Sequence, residues 1–383
     1  MMPPLLPKTS GSLSRRRRWL RKVLLVGLAG IGALGWRDFT YQRAVRQLRE
    51  AGFHTNPERI YAGMVENVSE GVGLRERLRH ALRVDWRQLF RADVWKRRPG
   101  SFEGAPQVHQ LRNLDAIAPA LRRLKPKCLD LTECSALENV NGLRGLASLQ
   151  QLTFIDCKLR NLDGFKGLTS LRHLSFRSCR VLQNVDGLKD LTSLEYLSLG
   201  NCDPLPNVDA LKGLTSLRSL HFHYCPSLQN LDGIKGLRSL RSLHVNYCPL
   251  LQSLDALTGL TSLQDLSLRA SKSLHNLDAL TSLQTLSLTD YDTLQNVDIF
   301  KSLTSLQHLS LHHWIMLQNV DGLKGMTALT ELDLLNCWAL QDVNALKGLT
   351  SLRVLDLRGC TKLPPEQVAA LKGALPNTKI TGP

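Results

Sequence analysis

The sequence predicts an α/β solenoid: a curved stack of about eleven coils of 22–23 residues, a parallel sheet on its concave side, a helical region before it and a helical cap after it. Three observations carry that prediction. The segment SLRHLSFRSCRVLQNVDGLKDLT, beginning at Ser170, is followed without a gap by SLEYLSLGNCDPLPNVDALKGLT and then by SLRSLHFHYCPSLQNLDGIKGLR. Within this 23-residue unit the apolar residues fall at positions 2, 5, 7, 10, 13, 16, 19 and 22, which are Leu171, Leu174, Phe176, Cys179, Leu182, Val185, Leu188 and Leu191 in the unit at Ser170. One unit alone cannot bury eight such side chains, so neighbouring units must stack.

Copied outward, the frame gives units starting at Lys125, Ser148, Ser170, Ser193, Ser216, Ser239, Ser262, Ser282, Ser305, Ala328 and Ser351. Positions 5 and 7 alternate with polar residues at 4, 6 and 8, so HLSF or YLSL is a short strand with one buried face. Beyond it the apolar residues recur every third position, as a chain winding back to the next strand requires. The unit at Ser148 is one residue short and the unit at Ser262 lacks three residues of the usual GLKGL segment, which predicts a locally tighter convex side.

These units resemble the leucine-rich repeat family, in particular the bacterial short-repeat, internalin-like kind, with Cys in the slot that holds Asn or Cys. The resemblance runs from about Lys125 to the end, roughly two thirds of the sequence. It implies a curved stack that binds something on its concave face and performs no catalysis of its own. The family does not supply the ligand.

Four regions follow. Residues 1–36 read as a basic export signal or membrane anchor, 37–108 as a basic helical region and N-terminal cap, 109–360 as the repeats and 361–383 as the C-terminal cap. The formal charge of +16 is concentrated at the front: residues 1–36 carry seven Lys and Arg with no acid, 37–126 carry eighteen basic against ten acidic residues, and the rest is nearly neutral. A neutral repeat surface removes the electrostatic footprint that phosphate binding needs, so a nucleic-acid partner is excluded.

The apolar run from Val23 to Trp36 is short for a spanning helix, which takes about 20 residues, and normal for an export signal. Ala33 and Gly35 permit cleavage before Trp36, and a retained anchor remains open. The basic cluster ahead of the run places the N-terminus in the cytoplasm and the repeats outside in either case. Residues 38–98 read as helices: QRAVRQLREAG ends on Gly52, and GLRERLRHALRVDWRQLFRADVW puts Leu74, Leu78, Leu82, Trp86, Leu89 and Val94 near one face. That face either covers the open end of the first coil or lies on an anionic membrane surface. Next, HQLRNLDAIAPALRRLK resembles half a repeat with Leu111, Leu114, Ile117 and Leu121 inward. At the other end, a helix from Pro365 through Leu375 and an edge strand at Thr378–Ile380 close the stack.

Two ladders invite chemistry. Position 17 is Asp163, Asp186, Asp209, Asp232, Asp255, Asp278, Asp298 and Asp321 in successive units, with Asn141 and Asn344 in two others. Calcium is one reading. The preferred one is that each Asp caps a short helical turn through its backbone amides, its charge offset by a Lys three residues on, such as Lys212, Lys235 or Lys301. Eight of nine cysteines occupy inward position 10: Cys134, Cys157, Cys179, Cys202, Cys225, Cys248, Cys337 and Cys360, while Cys128 does not. Ser271, Tyr291 and Trp314 take that slot in the remaining units. The ladder reads as packing, since no CxxC occurs and parallel side chains do not present disulfide geometry.

The concave face carries the candidate site. Position 6 forms a hydroxyl stripe of Ser175, Ser198, Ser267, Ser287 and Ser310, interrupted by His221 and His244. Around them stand Tyr196, His223, Tyr224, Asn246 and Tyr247. Lateral alignment predicts one compact cluster that binds a protein or a glycan, because exposed tyrosines offer large amphipathic contact area at low entropic cost. Solvent-facing drift is the alternative, and a metal on His221, His223 and His244 is a weaker one, since no carboxylate or thiolate completes the shell. No GxxxxGK, HExxH or GxSxG occurs, so no enzyme and no cofactor are expected. The sequence therefore reads as a membrane-associated or exported binding scaffold; the alternative is a soluble intracellular regulator that holds a partner enzyme.

Overall fold

Burying every inward position requires each coil to lie in register on the next, and a computed structural model of the chain shows that arrangement. The structure describes residues 41, 43–49, 53–56, 59–62, 111–132, 134–270, 277, 279–291 and 294–383. The segment 1–36 and the apolar stripe from Leu74 to Val94 lie outside the described residues, as do Ser271 and Asp278.

A single open sheet runs in chain order through β1 (Phe53–Asn56), β2 (Arg59–Ala62), β3 (Cys128–Thr132), β4 (Gln151–Ile155), β5 (His173–Arg177), β6 (Tyr196–Gly200), β7 (Ser219–His223), β8 (Ser242–Asn246), β9 (Asp265–Arg269), β10 (Thr285–Thr289), β11 (His308–Ser310), β12 (Glu331–Asp333), β13 (Val354–Asp356) and β14 (Lys379–Thr381). From β2 onward the pairing is parallel, like position against like: Leu174 lies opposite Leu197, and Leu220 opposite Leu243. Positions 5 and 7 point into a continuous core of Leu, Phe and Cys, and the rest of each coil closes it from the convex side. The fold is the predicted leucine-rich repeat solenoid.

The chain leaves each strand by a device the apolar pattern does not reveal. Position 9 is left-handed in coil after coil: Asp156, Ser178, Asn201, Tyr224, Tyr247, Ala270, Asp290, His313 and Asn336 all have φ between 50° and 63°. Such a residue costs about 1–2 kcal/mol when it is not glycine. Two gains offset this. The turn aims position 10 inward, and the position-9 N–H donates to the carbonyl at the end of the next strand, as from Tyr224 to Asn246 at 2.9 Å and from Asn201 to His223 at 2.8 Å.

Position 10 then satisfies a buried carbonyl. The thiols of Cys157, Cys225, Cys337 and Cys360 donate to the position-7 carbonyls of Leu131, Leu199, Leu311 and Leu334 one coil back, at 3.2–3.4 Å. Trp314 takes the same role through Nε1, 2.7 Å from the Leu288 oxygen. The ladder cysteines are buried and free, with Cys128 half-buried. Burial pushes the thiol of Cys337 up to about 12 and that of Cys360 up to about 11.

On the convex side nine of the coils make a short 3₁₀ helix among the described residues, and here the expected capping role moves to a different residue. Asp186, Asp209, Asp232 and Asp298 are the first helical residues, and their side chains do not cap. The cap comes from position 15: Asn184, Asn207, Asn230 and Asn296 accept the Asp backbone N–H through Oδ1 at 3.1–3.3 Å. An Asx turn reaches two residues forward, so the capping side chain sits ahead of the acid. Asp209, Asp232 and Asp298 pair instead with Lys212, Lys235 and Lys301 at 3.4, 2.8 and 3.0 Å.

Both ends are covered. A helical segment over residues 43–49 buries Ala44 and Leu48 in the common core, together with Leu114, Ile117 and Leu121. Residues 53–56 and 59–62 depart from the helical expectation: β1 and β2 pair antiparallel, and β2 pairs with β3. The open edge of β3 offers unpaired backbone groups, which a short β-prone segment satisfies better than a helix can. At the other end the helix Pro365–Ala374 buries Val368 and Leu371, and β14 pairs with β13. Gln367 ends the convex ladder, its Oε1 accepting from the Val343 N–H and its Nε2 donating to the Gln341 carbonyl, both at 3.0 Å.

Local backbone approach explains glycine at position 18 where it occurs, while Ala210, Ala256 and Ala345 fill that slot in other coils. A Cβ on Gly233 would collide with the Val208 carbonyl of the preceding coil, whereas one on Gly348 meets nothing within 4 Å. Gly233→Ala should therefore lower the unfolding free energy by about 1–3 kcal/mol in urea, as overpacking does. Gly348→Ala should leave it unchanged or raise it by about 0.4–1 kcal/mol. Equal effects would contradict the spacing.

Candidate functional site

Because like positions face one another, outward residues build rows that run across the strands. The first row follows positions 4 and 6. His221 on β7 lies opposite His244 on β8, and their rings stack at 4.4 Å and 11°. Tyr196 on β6 presents an edge contact to His221 at 5.2 Å. Each imidazole has a polar partner: the Ser219 hydroxyl is 2.8 Å from His221 Nε2, and His244 Nε2 donates to Asp265 Oδ2 at 2.8 Å. Ser242 donates to the same carboxylate oxygen at 2.8 Å. Asp265 is the carboxylate missing from the sequence reading; it stands at position 4 of the next coil, where frame counting alone places it beside His244.

The electrostatics follow from this packing. Burial and then the neighbouring His244 hold His221 below the ordinary imidazole range, with Asp265 pulling weakly the other way. Burial works to raise Asp265, but the hydrogen bonds from His244 and Ser242 outweigh it and leave its carboxyl below the usual range.

The second row follows positions 8 and 9. Tyr224 and Tyr247, expected on the concave face itself, occupy the left-handed turn just past β7 and β8, so their rings stand on the rim of that face. There they stack on each other at 4.4 Å and 8°, with His223 against Tyr224 at 4.7 Å. The Arg269 guanidinium lies 4.7 Å above the Tyr247 ring and donates through Nε to Asp290 at 2.8 Å. His313 also reaches Asp290, through Nδ1 at 3.2 Å. Asn246 accepts from Ser267 at 3.4 Å.

All seven predicted site residues thus sit in two adjacent rows, with ring contacts running along each row. Beside the tyrosines a groove of about 490 Å³ is lined by Arg180, Asn201, Asp203, Tyr224, Pro226, Tyr247, Pro249 and Ala270. Its prolines, Asp203 and Arg269 were missed. The signal for the groove is the column of residues at positions 9 and 11, whose turn chemistry separates them from the strand. Among the described residues no group of three or more His, Cys, Asp or Glu side chains is placed to hold a metal ion.

A curved parallel stack with aromatic rows on its outward face defines a repeat protein suited to protein binding. The family model for the BspA type leucine rich repeat region matches in six copies, over residues 130–229, 201–308 and 244–364. The chain belongs to this leucine-rich repeat family, and no catalytic family is indicated. Among solved structures, an internalin (inlF) from Listeria monocytogenes is 20% identical with a TM-score of 0.57, covering 68% of this chain and 75% of that one. A chain of the Toll–Spatzle complex from Drosophila is 18% identical with a TM-score of 0.51, covering 69% of this chain and 42% of that one. These likenesses are likenesses of fold. A search of curated proteins gives no match.

The depressed value of His221 makes a prediction with a definite sign. Its contribution to stability is fully present above the unfolded value of about 6.5 and is lost as pH falls through the lower folded value. Followed by NMR, the His221 ring should titrate below about 6.5, and His244→Gln should move the midpoint upward. A wild-type midpoint at or above the ordinary value would contradict the packing described.

Proposed function

We propose that this protein is a non-enzymatic binding scaffold, membrane-associated or exported, which holds a protein partner against the aromatic rows of coils Ser193 to Ser239. One observation carries the proposal: Tyr224 and Tyr247 are stacked face to face on the rim, with Tyr224 46% exposed beside an open groove. Large aromatic surface left in water has no folding rationale here, since the same left-handed position is filled by Asn201, Ala270 and Asn336 in other coils. Tyrosine is among the residues that dominate binding energy at protein interfaces. The rings also suit a glycan, which competition with oligosaccharides separates from a protein.

The extracytoplasmic part of the proposal rests on the basic cluster and apolar run before Trp36. Among the described residues no helix is long and apolar enough to cross a membrane. Protease added to intact spheroplasts should cut the repeats; resistance until lysis would exclude export and favour the intracellular regulator.

For the binding surface, Tyr224→Ala, Tyr247→Ala and His244→Ala combined should weaken capture of the partner by about 2 kcal/mol or more, near thirtyfold. The fold should survive, since Ala270 already occupies the same turn position. The control combines Lys212→Ala, Lys235→Ala and Lys301→Ala on the convex side and should change capture little. Loss of the partner in the control alone would place the site on the convex face.

A further inference from the structure

The tyrosine stack has two outer faces, and among the described residues a cation lies on one of them. Toward the later coils, Ala270 at position 9 leaves room for Arg269 to lie over Tyr247 at 4.7 Å, and Asp290 anchors that guanidinium at 2.8 Å. The arrangement is a ring, a cation on its face and a carboxylate holding the cation.

Toward the earlier coils the stack stops. Position 9 of the preceding coil is Asn201, whose short side chain leaves the outer face of Tyr224 bordering the 490 Å³ groove. One acid lines that groove, Asp203, and it is exposed. The charged residues lining the groove are Asp203 on the coil next to Tyr224 and Arg180 one coil further away, and Arg177 lies near enough to act on His223, which packs against Tyr224. Pro226 and Pro249 give it an apolar floor with no competing hydrogen-bond donors on their backbone nitrogens.

We infer that the open face of Tyr224 is a subsite for an arginine side chain of a protein partner, with Asp203 taking the part that Asp290 plays for Arg269. This deepens the binding role proposed above and rests on it for its biological meaning. The chemistry is that of the internal pair: a weakly hydrated guanidinium stacks on a tyrosine ring and donates from its edge to a carboxylate. Arg180 is the like charge among the described residues that line the groove and works against the incoming cation, so its removal has a diagnostic sign.

The test uses the full chain with carbon-13 in its six tyrosines, the Tyr224 ring signal being identified with Tyr224→Phe. The probe is N-acetylarginine methylamide, and the control is the uncharged citrulline analogue. Arginine should shift the Tyr224 signal saturably and citrulline should not. Asp203→Asn should weaken binding of the probe by about two- to fivefold, the range of a single exposed cation–π or ion contact, and Arg180→Gln should strengthen it. Equal shifts with citrulline, an unmoved Tyr224 signal, or loss of binding in Arg180→Gln would overturn the assignment, the last by showing that Arg180 holds the probe instead of repelling it. The outcomes stay separable from the wider binding role. A partner lost in the combined Tyr224, Tyr247 and His244 variant while arginine leaves Tyr224 unmoved sinks the subsite alone. Arginine binding with a partner indifferent to that variant sinks the wider role alone.

Discussion

The structure depends on one constraint: each position of a coil must sit on the same position of the next. Parallel strands hold the coils about 4.8 Å apart, too close for two coils to differ by even one residue of register. A slip of one would turn Leu197 or Leu220 out to solvent and bring Ser198 or His221 into the core. Everything else serves that registration. The left-handed turn at position 9 aims position 10 inward, four of the position-10 thiols and Trp314 satisfy position-7 carbonyls, and glycine at position 18 of coils such as that of Gly233 lets convex backbones approach.

Registration also converts single substitutions into surfaces. A histidine or tyrosine that recurs on the next coil must meet its counterpart across the sheet. This is why His221 finds His244 and Tyr224 finds Tyr247, each pair at 4.4 Å. The hydroxyl stripe before and after them is the background, and the aromatic window is a local departure from it. Such a window costs nothing in core packing, because outward positions are free of the apolar pattern. A stacked pair on a rim presents more rigid area than two isolated rings, which lowers the entropy lost on binding.

What could be read from the sequence was what the period controls. The frame located each repeat strand, the inward cysteines, the C-terminal helix from Pro365 and the residues of both aromatic rows. It did not show that position 9 is a turn, because Tyr224 and Tyr247 are poor left-handed residues. The signal lay in the column: Asp156, Asn201, Asp290, Asn336 and Gly359 are residues that adopt that conformation readily. Likewise the capping role went to the aspartates, although the Asn column two residues earlier has the reach to make the turn. The antiparallel pair of Phe53–Asn56 and Arg59–Ala62 was hidden for another reason. Its strand character comes from the open sheet edge it pairs with, a tertiary effect that local pattern does not encode. Arg269, Asp290 and Asp203 were invisible until neighbouring coils were laid side by side.

The claim that one frame sets inside and outside for the whole chain is tested most directly by counting thiols with a chromogenic disulfide reagent. The native protein should release one thiol early, from half-buried Cys128, and react slowly at the eight ladder cysteines, whose side chains are enclosed by adjacent coils. In denaturant all nine should react at once. Prompt labelling of several thiols without denaturant would mean that position 10 faces solvent, and the frame that places both aromatic rows would fall with it.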